Sequence, residues 1–355
     1  MKIIALIKIP YTLPFKTPWL TAKGNLTRRQ GFILQLKSNS GFIGLGDCAP
    51  IPEMGTETLS QAKQQIDQLI DEIKKNNPNI LALLSYLKKL KPAFAMALES
   101  AIFDVQSQQQ EIPLAQFINP HSTAACYINA NIGSLDKQIN NRAKLVIEQG
   151  YHRIKIKIAV KPPKDEICLL EQLFDEFRNS PIKWRLDANQ GWNMTQAKII
   201  IQSLNQISSG NIDYLEEPIS NPQLSQLNTL QDMAYFPLAI DESFCQADIR
   251  KIMQSGRIKH IVLKAASQGG ISQLMNIYHR LQTADIQTTI TSMLESSIGI
   301  MANLHLACAI NNNVCHGLAT SHYFKNNLGN TPIIKGNQMF LNSTPGLGAT
   351  LKENE

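Results

Sequence analysis

A chain of 355 residues, 43% hydrophobic and 17% charged, is too long for one small domain and has the balance of a globular protein, so a large core with a smaller companion is expected. Its net charge of +6 is spread along the chain without a basic run, which disfavours nucleic acid as a partner and suits a small anionic substrate. No apolar run reaches membrane-spanning length, and six scattered cysteines without a Cys-x-x-Cys pair read as reduced thiols in a cytoplasmic protein.

The opening Met1 to Pro10 is apolar but interrupted by Lys8 and Pro10, and reads as a first strand and not as a signal peptide. Strands are expected at Ile3 to Ile9, Phe32 to Lys37 and Gly41 to Leu45, which would pair as an antiparallel sheet. Two irregular stretches, Phe15 to Trp19 and Ala49 to Gly55, read as plain connections or as lids. Helices follow at Thr56 to Lys75 and Ala93 to Gln108, the second opening behind Pro92. Residues 1–120 are thus expected to form an α+β capping domain.

Near Pro120 the pattern changes to alternating segments. Strands are expected at Cys126 to Ile132, Arg153 to Ile158, Trp184 to Asp187, Ile212 to Glu216, Leu238 to Asp241, Ile258 to Lys264, Thr288 to Ser292 and Val314 to Leu318, with helices between them. Eight strands alternating with helices over residues 121–320 indicate a closed parallel α/β barrel. The tail, residues 321–355, lacks this rhythm and is expected to rejoin the amino-terminal domain. The sequence does not specify an oligomeric state.

In such barrels the active site lies at the carboxyl ends of the strands, so residues remote in sequence meet if each closes a strand. Lys155 and Lys157, two apart, share one face of their strand while Ile154, Ile156 and Ile158 take the other. An edge strand with its lysines in water would show the same alternation. Asp187, Glu216 and Asp241 close three consecutive strands, and Lys264 ends a fourth. Singly, the acids read as a turn former, a solvated charge before Pro218 and a helix cap; jointly, three consecutive strands would have to end in carboxylates by accident. Three carboxylates in one cavity repel, and a divalent cation with all-oxygen ligation resolves this: Mg²⁺, with Mn²⁺ as substitute. Zinc is disfavoured, since no histidine or cysteine sits at these ends. A lysine base beside a metal that stabilises developing negative charge defines a chemistry: removal of the proton next to a carboxylate.

At these residues the chain resembles the muconate-lactonizing subgroup of the enolase superfamily. The resemblance rests on Lys155-x-Lys157, Asp187-Ala188-Asn189-Gln190, Glu216-Glu217-Pro218, Asp241-Glu242-Ser243 and Lys264 with Gly269-Gly270. It implies a modified (β/α)7β TIM-like barrel with an α+β capping domain, Mg²⁺ held by Asp187, Glu216 and Asp241, Lys157 and Lys264 as the catalytic pair, and Lys155 and Asn189 in support. Thr291 to Gly299, His316-Gly317-Leu318 and the Pro14 to Trp19 stretch resemble the branch that dehydrates a cyclohexadiene hydroxy acid, SHCHC, to 2-succinylbenzoate in menaquinone biosynthesis. That likeness places Thr291, Ser292, Gly317 and Trp19 against the substrate and gives Lys157 the proton transfers, with Lys264 a stabilising cation. Racemases of N-succinylamino acids and dipeptide epimerases of the same superfamily are the alternatives. Against the epimerases, the eighth strand reads Cys315-His316-Gly317-Leu318-Ala319-Thr320 and offers no counter-ion for a substrate ammonium. Glu295 reads equally as a structural salt bridge or a catalytic group, and His316 as a packed strand residue.

Overall fold

In a computed structural model, which describes residues 1–21, 24–246 and 249–352, the amino-terminal strands Ile3–Thr21, Gly24–Ser38 and Ile43–Cys48 form an antiparallel sheet. Helices Leu59–Asn76 and Pro92–Gln109 follow. Thr58 and Gln61 close a reciprocal cap on the first helix. Pro92 opens the second, and the Glu57 carboxylate accepts from the Ala93 and Phe94 amides at 3.1 and 2.8 Å. The third strand lies directly on the second helix. A Cβ at Gly44 or Gly46 would stand 1.9 Å from the Ala101 or Ala97 carbonyl, so only glycine permits this approach.

The barrel sheet orders its seven parallel strands as they occur in the chain: Ala130–Ser134, Arg153–Lys157, Lys183–Asp187, Ile212–Glu216, Leu238–Ile240, His260–Leu263 and Gln287–Ile290. Helices Ile139–Glu148, Pro163–Glu176, Met194–Ile207, Leu224–Met233, Ile249–Ser255, Ile271–Gln282 and Ser297–Ile310 lie between and after them. The eighth strand is reduced to paired residues, His316 against Ile128 and Gly317 against Thr291. Backbone bonds from Asn129 to the His316 carbonyl (3.0 Å) and from Gly317 to the Ile290 carbonyl (2.8 Å) join the sheet's two edges. This is the (β/α)7β arrangement. Below the mouth the interior is polar: buried Arg185 donates to Asp213 (2.8 Å), Asn129 (3.0 Å) and the Cys315 carbonyl (2.8 Å) and lies 4.8 Å from the Tyr214 ring, so its charge is fully engaged.

Three details differ from the sequence reading. The Phe15 to Trp19 stretch is not a loop but part of the first strand, which slips register between Pro14 and Trp19. Phe15 is buried and stacks on Phe324 at 4.8 Å, burial that holds the segment in the sheet. The expected strand Cys126 to Ile132 splits because its backbone changes partners: Ala125–Tyr127 pairs with Gln338–Phe340, and Ala130–Ser134 enters the barrel. The tail meets the amino-terminal region at Phe324, at Lys325, whose amide donates to the Pro14 carbonyl at 2.9 Å, and at Leu347, whose amide donates to Asp104 at 2.7 Å, but its strands Ile333–Lys335 and Gln338–Phe340 add to Ala125–Tyr127. Among the described residues no helix is long and apolar enough to cross a membrane. Cys48, Cys126, Cys168, Cys308 and Cys315 are free thiols; the Cys245 side chain lies outside the described residues.

Candidate active site

Strand register assembles the site. Lys157 stands opposite Asp187 and Asp187 opposite Glu216, while Glu216 is opposite Ala239, two residues before Asp241. Side chains at these strand ends face inward, because the alternate positions Ile154, Ile156, Trp184 and Leu186 are buried beneath the outer helices. Lys155 donates to both Glu216 oxygens at 2.8 and 2.7 Å and to Asp187 at 2.8 Å. Lys157 donates to Asp187 at 2.5 Å and to the Asn189 side-chain oxygen at 2.6 Å. Lys264 donates to Asp241 and, at 3.3 Å, to Glu242.

Asn189 and Gln190 adopt left-handed backbone angles, φ 43° and 61°, and the Asn189 amide also donates to Asp187 at 2.9 Å. The turn after the third strand thereby aims Asn189 at Lys157.

Charge in this cluster is out of balance from strand to strand. Burial pushes the Asp187 carboxyl up, but Lys155 and Lys157 more than offset it and hold it well below the usual range. Burial and the neighbouring Asp187 raise Glu216. Burial, then Glu242, raise Asp241 well above the usual carboxylate range despite Lys264. For Lys264 burial opposes the charged form, and Asp241 and Glu242 prevail, holding it well above the usual lysine value. The same contest, won by Asp187 and Glu216, raises Lys155. Crowding among cations lowers a lysine; direct pairing with carboxylates reverses the sign for these two.

Among the described residues no three acidic, histidine or cysteine side chains are drawn together as a ligand set, because ammonium groups bridge the acids. The donor chemistry nonetheless fits Mg²⁺. Asp187, Glu216 and Asp241 are all-oxygen donors on adjacent strand ends, and Glu216 and Asp241 carry buried negative charge that their neighbours leave unfavourable.

Thr291, Ser292 and Gly317 meet where the seventh and eighth strands end. Thr291 donates its hydroxyl to the Gly317 carbonyl at 3.2 Å, and Ser292 shares a hydrogen bond of 2.8 Å with Thr320. A Cβ on Gly317 would stand 2.6 Å from the Thr291 hydroxyl. Trp19 belongs to the cap and packs edge-on against Tyr323 at 4.8 Å, whose hydroxyl donates to the Asn131 carbonyl on the first barrel strand. His316 is fully buried, and its Nδ1 accepts from the Ile290 amide at 3.0 Å.

Glu295 is buried and accepts from the Met293 amide (2.6 Å) and the Asn303 side chain (3.2 Å). Burial, with Asp47 nearby, pushes its pKa up to about 7. A raised acid stabilises the fold fully below its unfolded value near pH 4.5 and loses that contribution as pH climbs through about 7, at most about 3 kcal/mol. The denaturation midpoint of Glu295→Gln should therefore decline less than that of the parent between pH 5 and 8. Parallel declines would reject this assignment.

Glu217 was part of a motif in the sequence but carried no role there. It is buried, accepts from the Asp241 amide (2.7 Å), the Ser243 amide (2.9 Å), the Ser243 hydroxyl (2.6 Å) and Gln190 (3.0 Å), and so fixes the turn that carries Asp241. The signal was present in Glu216-Glu217-Pro218, where a second acid follows the strand-ending one.

Residues 138–355 match the family model "Enolase C-terminal domain-like", and residues 4–102 match "MenC, N-terminal domain". The chain is 28% identical to the L-Ala-D/L-Glu epimerase of Francisella tularensis subsp. novicida, over 87% of each chain. It is 27% identical to the o-succinylbenzoate synthase of Listeria innocua, over 96% of this chain and 91% of that one. The dipeptide epimerase of Enterococcus faecalis V583, solved with Mg and the dipeptide L-Leu-L-Tyr, superimposes with a TM-score of 0.86 at 25% identity, covering 99% of this chain and 100% of the other.

Proposed function

The chain belongs to the enolase superfamily, and from that premise we propose that it is an o-succinylbenzoate synthase, removing water from SHCHC to give 2-succinylbenzoate. One observation carries this choice over the dipeptide epimerases among its relatives. From Ser296 to Lys352 the sequence has no aspartate or glutamate, so the eighth strand and the segment after it offer hydroxyls and backbone where a dipeptide's ammonium would need an acid, and the nearby Glu295 and Asp47 are buried and engaged by Met293, Asn303, Ser296 and Tyr11. An unpaired desolvated ammonium costs several kcal/mol; a substrate that carries carboxylates and no amine avoids that cost.

Held by Asp187, Glu216 and Asp241, Mg²⁺ would stabilise the negative charge that builds on a substrate carboxylate when the adjacent carbon is deprotonated. Lys157, the most exposed of the three lysines at 26%, removes that proton. The ring C–O bond then breaks, Lys157 returns the proton to the departing hydroxide as water, and the ring becomes aromatic. Lys264, paired with two carboxylates, keeps its charge and faces the developing anion from across the barrel. Asn189 keeps Lys157 on its line of approach.

Racemisation of N-succinylamino acids is the second reading. It is favoured by the placement of Lys157 and Lys264 on the second and sixth of the ordered strands, on opposite sides of the barrel, as two-base chemistry requires. Incubating purified protein with SHCHC and Mg²⁺ should produce the absorbance of the aromatic product, with N-succinylamino acids and dipeptides tested in parallel. Turnover confined to the latter two classes rejects the synthase.

A further inference from the structure

Arg29 lies on the second cap strand, far from the lysines in sequence, yet it is 4% exposed. Its guanidinium gathers three carbonyls from two separate segments: Leu294 from Nε at 3.1 Å, Pro50 from Nη1 at 3.1 Å and Ala49 from Nη2 at 2.6 Å. Ala49 and Pro50 open the irregular cap segment, and Leu294 belongs to the loop that leaves the seventh barrel strand. Leu294 is left-handed, φ 58°, a conformation disfavoured for leucine and kept only where its surroundings dictate it.

A second cap side chain grips the same loop two residues on. Asp47, buried at the end of the third cap strand, accepts the Ser296 amide at 2.8 Å and the Tyr11 hydroxyl at 2.8 Å. Ser296 caps helix Ser297–Ile310. Behind them Gly299 leaves room for both acids: a Cβ there would stand 2.9 Å from Asp47 Oδ2 and 2.5 Å from the Glu295 Cβ.

We propose that Arg29 and Asp47 are positioning residues, a two-point clamp by which the cap sets the loop 291–297 and with it the wall of the pocket where the substrate's second polar group is recognised. The inference rests on the functional reading above, in which Thr291 and Ser292 face the substrate. The clamp residues bond to Leu294, Pro50, Ala49, Ser296 and Tyr11, and the lysines of the proton-transfer site bond to a separate set of acids at the strand ends. The clamp therefore governs recognition and not proton removal. Arginine is required because its planar fork reaches carbonyls in three directions, which a lysine ammonium on a flexible stem does not reproduce.

The test uses the full chain with Arg29→Lys, which keeps the charge and loses the fork, and Asp47→Asn, which keeps the shape and loses the charge; if one variant does not fold, the other decides. Amide hydrogen exchange across residues 293–297 should accelerate by about tenfold while the barrel strands keep their protection. On whichever substrate the parent turns over, KM should rise by about tenfold with kcat changed less than about threefold. Unchanged exchange in the loop of a folded variant, or a fall in kcat at constant KM, overturns the clamp. If the parent turns over none of the candidate substrates, the functional reading fails on its own, and the exchange measurement still decides the clamp.

Discussion

Lys157→Met is expected to reduce turnover by about 10³-fold or more, within the range that positioned general bases contribute. The variant should stay folded, because Asp187 keeps its bond with Lys155 at 2.8 Å and Asn189 sits on a turn with its own backbone contact to Asp187. Lys264→Met separates the two readings of the site. If Lys264 serves as a stabilising cation, its loss slows dehydration yet leaves Lys157 able to remove the substrate proton, so exchange of that proton with solvent persists at a reduced rate. If the enzyme works as a two-base racemase, each single variant should abolish racemisation and retain exchange on one enantiomer only. Chiral analysis beside proton NMR in D2O reads both outcomes.

The second large effect concerns Glu216→Gln. Exchanging one of the three proposed carboxylate ligands for a neutral amide should weaken divalent-ion binding by more than about 100-fold, a loss comparable to or larger than that seen for partners of metal ligands. Mn²⁺ titration followed by electron paramagnetic resonance should give one tight ion per parent chain and no tight ion in the variant. Activity of the parent should vanish with a chelator and return with Mg²⁺. Stability moves too. Glu216 is fully buried and accepts two of the three carboxylate bonds from Lys155, so the variant leaves a buried ammonium with one carboxylate partner and should lose about 3 kcal/mol. Tight Mn²⁺ binding that survives in Glu216→Gln would place the ion elsewhere.

Much of this site was legible in the sequence because barrel topology turns strand ends into neighbours. Asp187, Glu216, Asp241 and Lys264 read as strand-closing residues from the alternation of strand and helix patterns, and Lys155 and Lys157 share a face by the two-residue period of a strand alone. Strand Ile212–Glu216 was legible to the residue, since Pro218 stands just beyond it.

What the sequence concealed depends on partners far away in the chain. Arg29 follows another arginine in a strand otherwise exposed at that point, and nothing local marks it as the residue that meets Leu294 across 265 positions. Phe15 sits between proline and lysine in a stretch with loop composition, and Phe324, which covers it, comes from the tail. The eighth strand looked like the seven before it, yet only His316 and Gly317 pair as a strand would, and the chain turns away at Thr320. Lys155 and Lys264 are held charged by specific carboxylates within hydrogen-bond reach, and no local pattern in the sequence shows which acid meets which lysine.

Removal of the proton next to a substrate carboxylate by a lysine of this cluster, with help from a divalent ion on three strand-end acids, is the step we propose. It is tested most directly by single-turnover mixing of the parent with SHCHC deuterated at that carbon. A primary isotope effect on product formation that needs Mg²⁺ and disappears with Lys157→Met is the predicted result. Product formed at the same rate without a divalent ion, or in a variant lacking both Lys157 and Lys264, would contradict it.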